Sequence, residues 1–339
     1  MLRNRLLDFA GDLMEPLSDF APTATLKNLR LRAEMLRRLR TFFDDRGFLE
    51  VETPILSADT VVDRHLDPFS ASLCPRPEPN GPRFWLQTSP EFHMKRMLAA
   101  GLGRIYQVSH VFRQEEVGPL HNPEFTLVEW YQPGDGFDEG MQLTSDLCVA
   151  LLDCGPADRI SYREAFERYA GIDPLTVDGA ALVQAVRASG IEAPASLDPG
   201  DRDGWLDLLM VERVQPHLGV ERPALFHDYP ASQAALARVR PDDPRVAERF
   251  ELYIRGIELA NGYHELLDPA ELRARNRQAN AQRAADGKAC LPEESRLLAA
   301  MESGLPASVG VALGFDRLVM LAAGARRIAE VVAFPFDRA

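Results

Sequence analysis

The chain has 339 residues, 46% of them hydrophobic, enough to bury a substantial core as one large domain or two. Its 38 basic and 51 acidic residues leave a formal net charge of −13, which opposes a general nucleic-acid binder with a basic footprint. No run approaches the roughly 20 apolar residues of a bilayer span, and the apolar stretch after Met1 is soon broken by Asp8 and Asp12. Neither a membrane anchor nor a signal peptide is expected, and the setting reads as cytoplasmic. Cys74, Cys148, Cys154 and Cys290 form no C-x-x-C pair and no zinc-like spacing with histidine, which suits reduced thiols.

Residues 1–24 lack periodicity and read as an N-terminal arm. Leu29, Ala33, Leu36, Leu39 and Phe43 mark a helical stripe over residues 26–43, which Gly47 stops. The same segment carries seven basic residues between Lys27 and Arg46, either a solvated helix face or a docking face for an acidic macromolecule. Residues 48–52 alternate like a strand before Thr53-Pro54. Four prolines mark a loop over 74–82, residues 84–87 read as a strand, and Ser89 caps a helix over 90–100 with Pro90 at its first position. Two apolar runs, beginning at Ile105 and at Phe125, flank a polar loop and predict a hairpin. Helix patterns follow at 140–152, 162–169, 179–188 and 202–214, so residues 160–241 read as an inserted helical layer. Strand patterns return at 249–254 and 257–262, a polar helix at 270–286, and a strand at 308–313 runs into a helix at Gly314. This order predicts an α+β domain around an antiparallel sheet.

Four places carry residue types suited to chemistry. The hairpin loop holds Arg113, Glu115 and Glu116, then His121-Asn122-Pro123-Glu124-Phe125. A guanidinium grips phosphate, a carboxylate accepts from an amino group and a ring stacks on a base, so a bound nucleotide is suggested. Glu251, Glu258 and Glu265 lie seven apart on a strand–turn–strand; they are either solvated or gathered around Mg²⁺. Gly314-x-Asp316-Arg317 opens a helix, as an ordinary cap or as a phosphate site. Thr88-Ser89-Pro90-Glu91 puts a carboxylate at a helix start, where it can simply complement the dipole.

The order of these segments is more specific than any one of them. Residues 47–54, then Phe112-Arg113-Gln114-Glu115, then Gly314-Phe315-Asp316-Arg317 resemble the three motifs of class II aminoacyl-tRNA synthetases. His121–Phe125, Glu129-Trp130-Tyr131, and Arg249-Phe250-Glu251 through Asn261–Leu266 resemble the lysyl-tRNA synthetases within that class, and the resemblance spans residues 25–339. It implies a class II synthetase catalytic fold, an antiparallel β-sheet flanked by helices. Two departures matter. Only residues 1–25 precede the first helix, which leaves no room for an OB-fold anticodon domain, and Ala312 stands where those enzymes keep glycine. Both departures, with Ala231-Ser232-Gln233-Ala234 and the final Asp337-Arg338-Ala339, are similar to the elongation factor P lysine lysyltransferases, truncated paralogues of lysyl-tRNA synthetase.

That resemblance implies ATP-dependent activation of (R)-β-lysine and its transfer to elongation factor P, by a homodimer that holds no tRNA stably. Arg113 and Arg317 would be catalytic, holding the α- and γ-phosphates. Gln114, Glu115, His121, Asn122, Phe125, Glu258, Leu259 and Gly314 would complete the ATP site, with Glu251 and Glu258 on Mg²⁺. Ser89, Pro90, Glu91, Glu129, Tyr131, Asn261, Glu265 and Ala312 would bind the amino acid. The alternatives are lysine–tRNA charging without an anticodon domain, or a non-catalytic lysine- and ATP-binding paralogue.

Overall fold

A computed structural model describes residues 20–72 and 83–339. Cys74 and most of the N-terminal arm and the proline loop lie outside them. In chain order the described elements begin with α1 (Leu26–Asp44), β1 (Leu49–Glu50), β2 (Leu56–Ser57), β3 (Ser70–Ala71), β4 (Phe84–Leu86) and α2 (Glu91–Ala99). The hairpin strands β5 (Ile105–Phe112) and β6 (Glu124–Pro133) follow, then α3 (Phe137–Leu152), β7 (Asp158–Ser161), α4 (Tyr162–Tyr169), α5 (Gly179–Ala188) and α6 (Arg202–Leu209). The chain closes with β8 (Ala224–Pro230), β9 (Val246–Ile254), β10 (Ile257–His264), α7 (Pro269–Ala285), α8 (Arg296–Gly304), β11 (Ser308–Gly314) and α9 (Phe315–Ala323).

One eight-stranded sheet runs β1-β5-β6-β11-β10-β9-β8-β7. Its centre is antiparallel as expected, but β1 pairs parallel with β5 and β7 parallel with β8 at the edges. Strand side chains alternate between faces. On one face Tyr106, Val128, Trp130, Phe250, Leu252, Val311 and Leu313 are buried against α1, α3 and α9, through residues such as Met35, Leu39, Phe43, Leu147 and Phe315. The other face carries Gln107, Glu129, Tyr131, Arg249 and Glu251, and one end of it is roofed by α2 and α8 through Phe92, Met94, Leu98, Leu297 and Leu298.

The reading of residues 160–241 as a purely helical insertion needs correction. Helices α4–α6 pack over Phe226, Tyr229 and Tyr253 as a layer, but β8 is an internal strand of the sheet. Its pattern is broken by His227-Asp228, where the ladder shifts register and Asp228 adopts φ +63°. The α1 stripe is also rotated: Met35, Leu39, Phe42 and Phe43 are its buried residues, and Ala33 is exposed. Thr25 caps that helix, its hydroxyl accepting from the Asn28 amide at 3.2 Å.

Of the basic residues between Lys27 and Arg46, only Arg32 is drawn inward, and the others are exposed. Arg32 pairs with the buried Asp316 at 2.6 Å and donates to Thr126, Arg38 donates to the Ala150 carbonyl, and Arg40 pairs with Glu50. Most of the basic face of this helix is thus open to solvent. At the other end of the chain, the Thr23 hydroxyl donates to the Ala329 carbonyl at 2.6 Å, so the last residues of the N-terminal arm are tied to the C-terminal segment. No helix among the described residues is long and apolar enough to cross a membrane.

Candidate adenylate-forming site

Strand register builds the site. Ala312 pairs with Glu129 on one side and Asn261 on the other, and Asn261 pairs with Glu251. Directly opposed residues share a face, so Glu129, Ala312, Asn261 and Glu251 form one row across β6, β11, β10 and β9. The neighbouring row is Tyr131, Gly310, Tyr263 and Arg249. Gly310 has a steric reason: a Cβ there would sit 2.1 Å from Glu265 Oε1 and 2.3 Å from the Tyr131 ring. Glycine at 310 thus opens the space in which these two side chains cross β11.

The amino-acid half is buried and tightly bonded. Ser89 Oγ donates to Glu129 Oε2 at 2.6 Å, and the Tyr131 hydroxyl donates to Glu129 Oε1 at 2.6 Å. The Glu91 amide donates to Ser89 Oγ at 3.1 Å, so Ser89 acts at the helix start as expected, although the helix itself begins after Pro90. Burial, together with the charge of Glu91, lifts Glu129 to about 7. Burial lifts Glu265 to about 8, although Lys95 opposes the shift. Asn261 Oδ1 is buried without a hydrogen-bond partner, a free acceptor in the middle of the row.

The nucleotide half is more open. Arg113 lies over the Phe125 ring, 5.0 Å from its centre, and makes only 3.4 Å contacts to Glu116 and to the Thr88 carbonyl. The side chain of Gln114 donates to the Pro68 carbonyl at 3.1 Å, and Glu115 is exposed on the loop with φ +64°. Arg317, in the first turn of α9, donates to the carbonyls of Leu120 and Glu258 and meets His121 Nε2 at 2.6 Å. Burial and the Arg317 charge hold His121 below its ordinary value. A Cβ at Gly314 would meet only the Leu259 carbonyl at 3.8 Å and Arg317 Cδ at 3.9 Å. Nothing in the chain itself demands glycine there, which suits a position approached by a ligand.

The three glutamates do not form one cluster. Glu265 belongs to the amino-acid half. Glu258 lies beside Glu251, and burial plus the Glu251 charge raise it to about 7, against the pull of Arg317 at 3.9 Å. Glu251 is held by Arg249 and by the Tyr253 hydroxyl. The described residues contain no group of three or more metal-ligating side chains. Two adjacent carboxylates fit Mg²⁺, which takes its remaining ligands from phosphates and water. A bulge at Leu259, where the ladder shifts between Glu258 and Ala260, brings Glu258 to the site face.

One expected ligand is partly used elsewhere. Asn122 donates to the Glu124 carbonyl at 2.6 Å and accepts from the Phe336 amide at 2.9 Å, so one N–H and one lone pair of its amide are engaged, the latter anchoring the C-terminal segment. Neither Lys95 nor Gly310 carries a local signal of its role in the sequence, and Glu116 shows there only as a carboxylate of the hairpin loop. Lys95 is four residues after Glu91 on α2, a spacing that ordinarily marks a solvated helix pair.

A family model described as tRNA synthetases class II (D, K and N) matches residues 13–338. Among curated proteins, one from Salmonella arizonae named elongation factor P–(R)-beta-lysine ligase is 47% identical over 96% of this chain and all of its own length. Proteins of the same name from Klebsiella pneumoniae and Edwardsiella ictaluri are each 48% identical over the same shares. The chain belongs to the class II tRNA synthetase family.

Proposed function

We propose that this chain is an ATP-dependent ligase that activates (R)-β-lysine as an aminoacyl-adenylate and transfers it to a lysine ε-amino group of elongation factor P. The observation that carries this reading is the row Glu129–Ala312–Asn261–Glu251, an anionic floor running from a carboxylate-lined pocket to a pair of carboxylates beside Arg317. The extent of the match to relatives named for that reaction supports it.

In this reading the two ammonium groups of the substrate enter the half lined by Glu91, Glu129 and Glu265, and Tyr131 and Ser89 fix the Glu129 carboxylate for them. The substrate carboxylate then lies toward Arg113. A carboxylate oxygen attacks the α-phosphorus, the bond to the β-phosphate oxygen breaks, and pyrophosphate leaves. Arg113 and Arg317 stabilise the charge that shifts onto the phosphate oxygens, and Phe125 offers its ring to the adenine. Mg²⁺ on Glu251 and Glu258 would neutralise part of the triphosphate charge. In the second step the acceptor amine attacks the acyl carbon, loses a proton and releases AMP. Because the attacking carboxylate is already ionised at neutral pH, adenylation needs positioning and electrostatics more than a base.

Residues 25–339 act as one catalytic body. Two copies associate beside β1, where Leu49, Ile55 and Leu56 are exposed apolar residues. ATP and a translation factor as acceptor make the cytoplasm the working compartment.

Pyrophosphate exchange and the intact mass of the acceptor test the reading. Exchange is expected with β-lysine in preference to α-lysine, together with a mass gain on elongation factor P of one lysyl group. An unchanged mass beside charged tRNA would favour tRNA charging. No exchange with either isomer would leave a non-catalytic binding protein.

A further inference from the structure

Lys95 has no place in the chemistry above, yet it lies at the centre of the amino-acid half. Its side chain is 3% exposed, and its ammonium bridges Glu91 on its own helix and Glu265 just beyond β10. Burial alone would drive Lys95 toward the neutral amine, but the Glu265 and Glu91 charges outweigh it and hold the ammonium above its ordinary value. A surface pair at this spacing contributes little; a buried one leaves an uncompensated charge when either partner is removed.

The surroundings can be counted. Glu91 faces this ammonium from α2, Glu129 from β6 with the Tyr131 hydroxyl bonded to it, and Glu265 from the end of β10. On the far side of α2, α8 contributes the apolar Leu297, Leu298 and Met301. His93 of α2 interacts with Arg96, Asp59 and Arg296 instead. With all three carboxylates ionised, one ammonium leaves two negative charges over, matching the charge that a diammonium acid brings on its two amino groups.

We propose that Lys95 is a positioning residue of this pocket: its ammonium clamps Glu91 to Glu265 and sets the uncompensated charge to match a substrate with two ammonium groups. This rests on the ligase reading above. Without Lys95, a bound lysine isomer would leave one buried carboxylate unpaired, and that carboxylate would hold a proton. The raised values of Glu129 and Glu265 give the direction of the pH effect. Both must be ionised to accept a cation, so the KM for the amino acid should fall as pH rises through about 7 to 8. Removing Lys95 takes away the charge that restrains Glu265, so this falling limb should move to higher pH.

The test is the pH dependence of pyrophosphate exchange with β-lysine for the unsubstituted enzyme, K95M and K95R. The limb of K95M is expected at least about one pH unit higher, with KM at pH 7 raised roughly tenfold and the KM for ATP unchanged. K95R keeps the charge and should keep the limb where it is, even if the larger head weakens binding. A purely structural role would lower the active fraction in K95M without moving the limb, and that result overturns the proposal. So does a K95R limb displaced as far as that of K95M. Absence of exchange in the unsubstituted enzyme would instead remove the ligase reading, and this proposal with it.

Discussion

The two halves of the cleft prepare for charged ligands in opposite ways. On the nucleotide side, Arg113 and Arg317 are partly exposed and held by contacts to backbone carbonyls, to His121 and, at longer range, to Glu116 and Glu258. Their guanidinium charges are permanent, so this half needs only to keep them within reach. On the amino-acid side, Glu129, Glu265 and Lys95 are sealed from solvent and bonded to one another or to Ser89 and Tyr131. There, burial makes the protonation state adjustable. The difference places the pH response of amino-acid binding in Glu129 and Glu265, whereas the two arginines of the nucleotide half stay charged beside Glu258, which also titrates near neutrality.

Three substitutions can break or sharpen this contrast. The largest effect is expected for Arg317→Ala, which should slow pyrophosphate exchange by roughly a thousandfold, the scale seen when one donor to a developing anion is removed. Its KM for β-lysine should stay near the starting value, because Arg317 touches none of the carboxylates of that half; a large rise would show that the two halves are not separable. Next comes Gly310→Ala. The added methyl falls within bond-clash distance of Glu265 Oε1 and the Tyr131 ring, and overpacking of this kind costs about 1–3 kcal/mol. KM for the amino acid should therefore rise roughly tenfold to a hundredfold, with ATP affinity unchanged. Equal losses for both substrates would contradict the division. The smallest effect is expected for Ala312→Gly. One methyl group in the row between Glu129 and Asn261 is removed, and the ratio of α-lysine to β-lysine activation should rise about tenfold. An unaltered ratio would mean that Ala312 does not gate substrate choice.

Much of this arrangement was legible in the sequence where local chemistry and long-range order agree. The hairpin that opens at Ile105, the helix capped by Thr25 and the strand-to-helix junction at Gly314 all lie within a residue or two of their expected places. Each has apolar periodicity bounded by a cap, a glycine or a polar loop. Strand β8 was hidden because His227-Asp228 interrupts its alternation and the residue at the break takes a left-handed backbone. In the site, the types of residue were readable but their partners were not. Nothing in Glu91-x-x-x-Lys95 says that the pair is buried, because burial comes from α8 and β6, far away in the chain. The engagement of Asn122 by the Phe336 amide spans more than two hundred residues and has no local trace. The inward turn of Arg32 in α1 has no local trace either, since Asp316, which receives it, lies near the other end of the chain.

The bulge at Leu259 has a consequence for how this cleft can change. Leu259 and Ala260 both turn toward the core, so the strand loses its phase there and regains it at Asn261. Glu258 and Asn261, three positions apart, thereby open on the same cleft, a spacing that an unbroken strand would send to opposite sides. The carboxylate beside Arg317 is thus uncoupled from the segment Asn261–Glu265 that follows. A residue gained or lost on the hairpin side of the bulge can be absorbed at the turn. The same event between Asn261 and Glu265 would turn Glu265 into the apolar layer. The Glu258 end of the strand can therefore drift in length during evolution, while the Glu265 end is held to a fixed count.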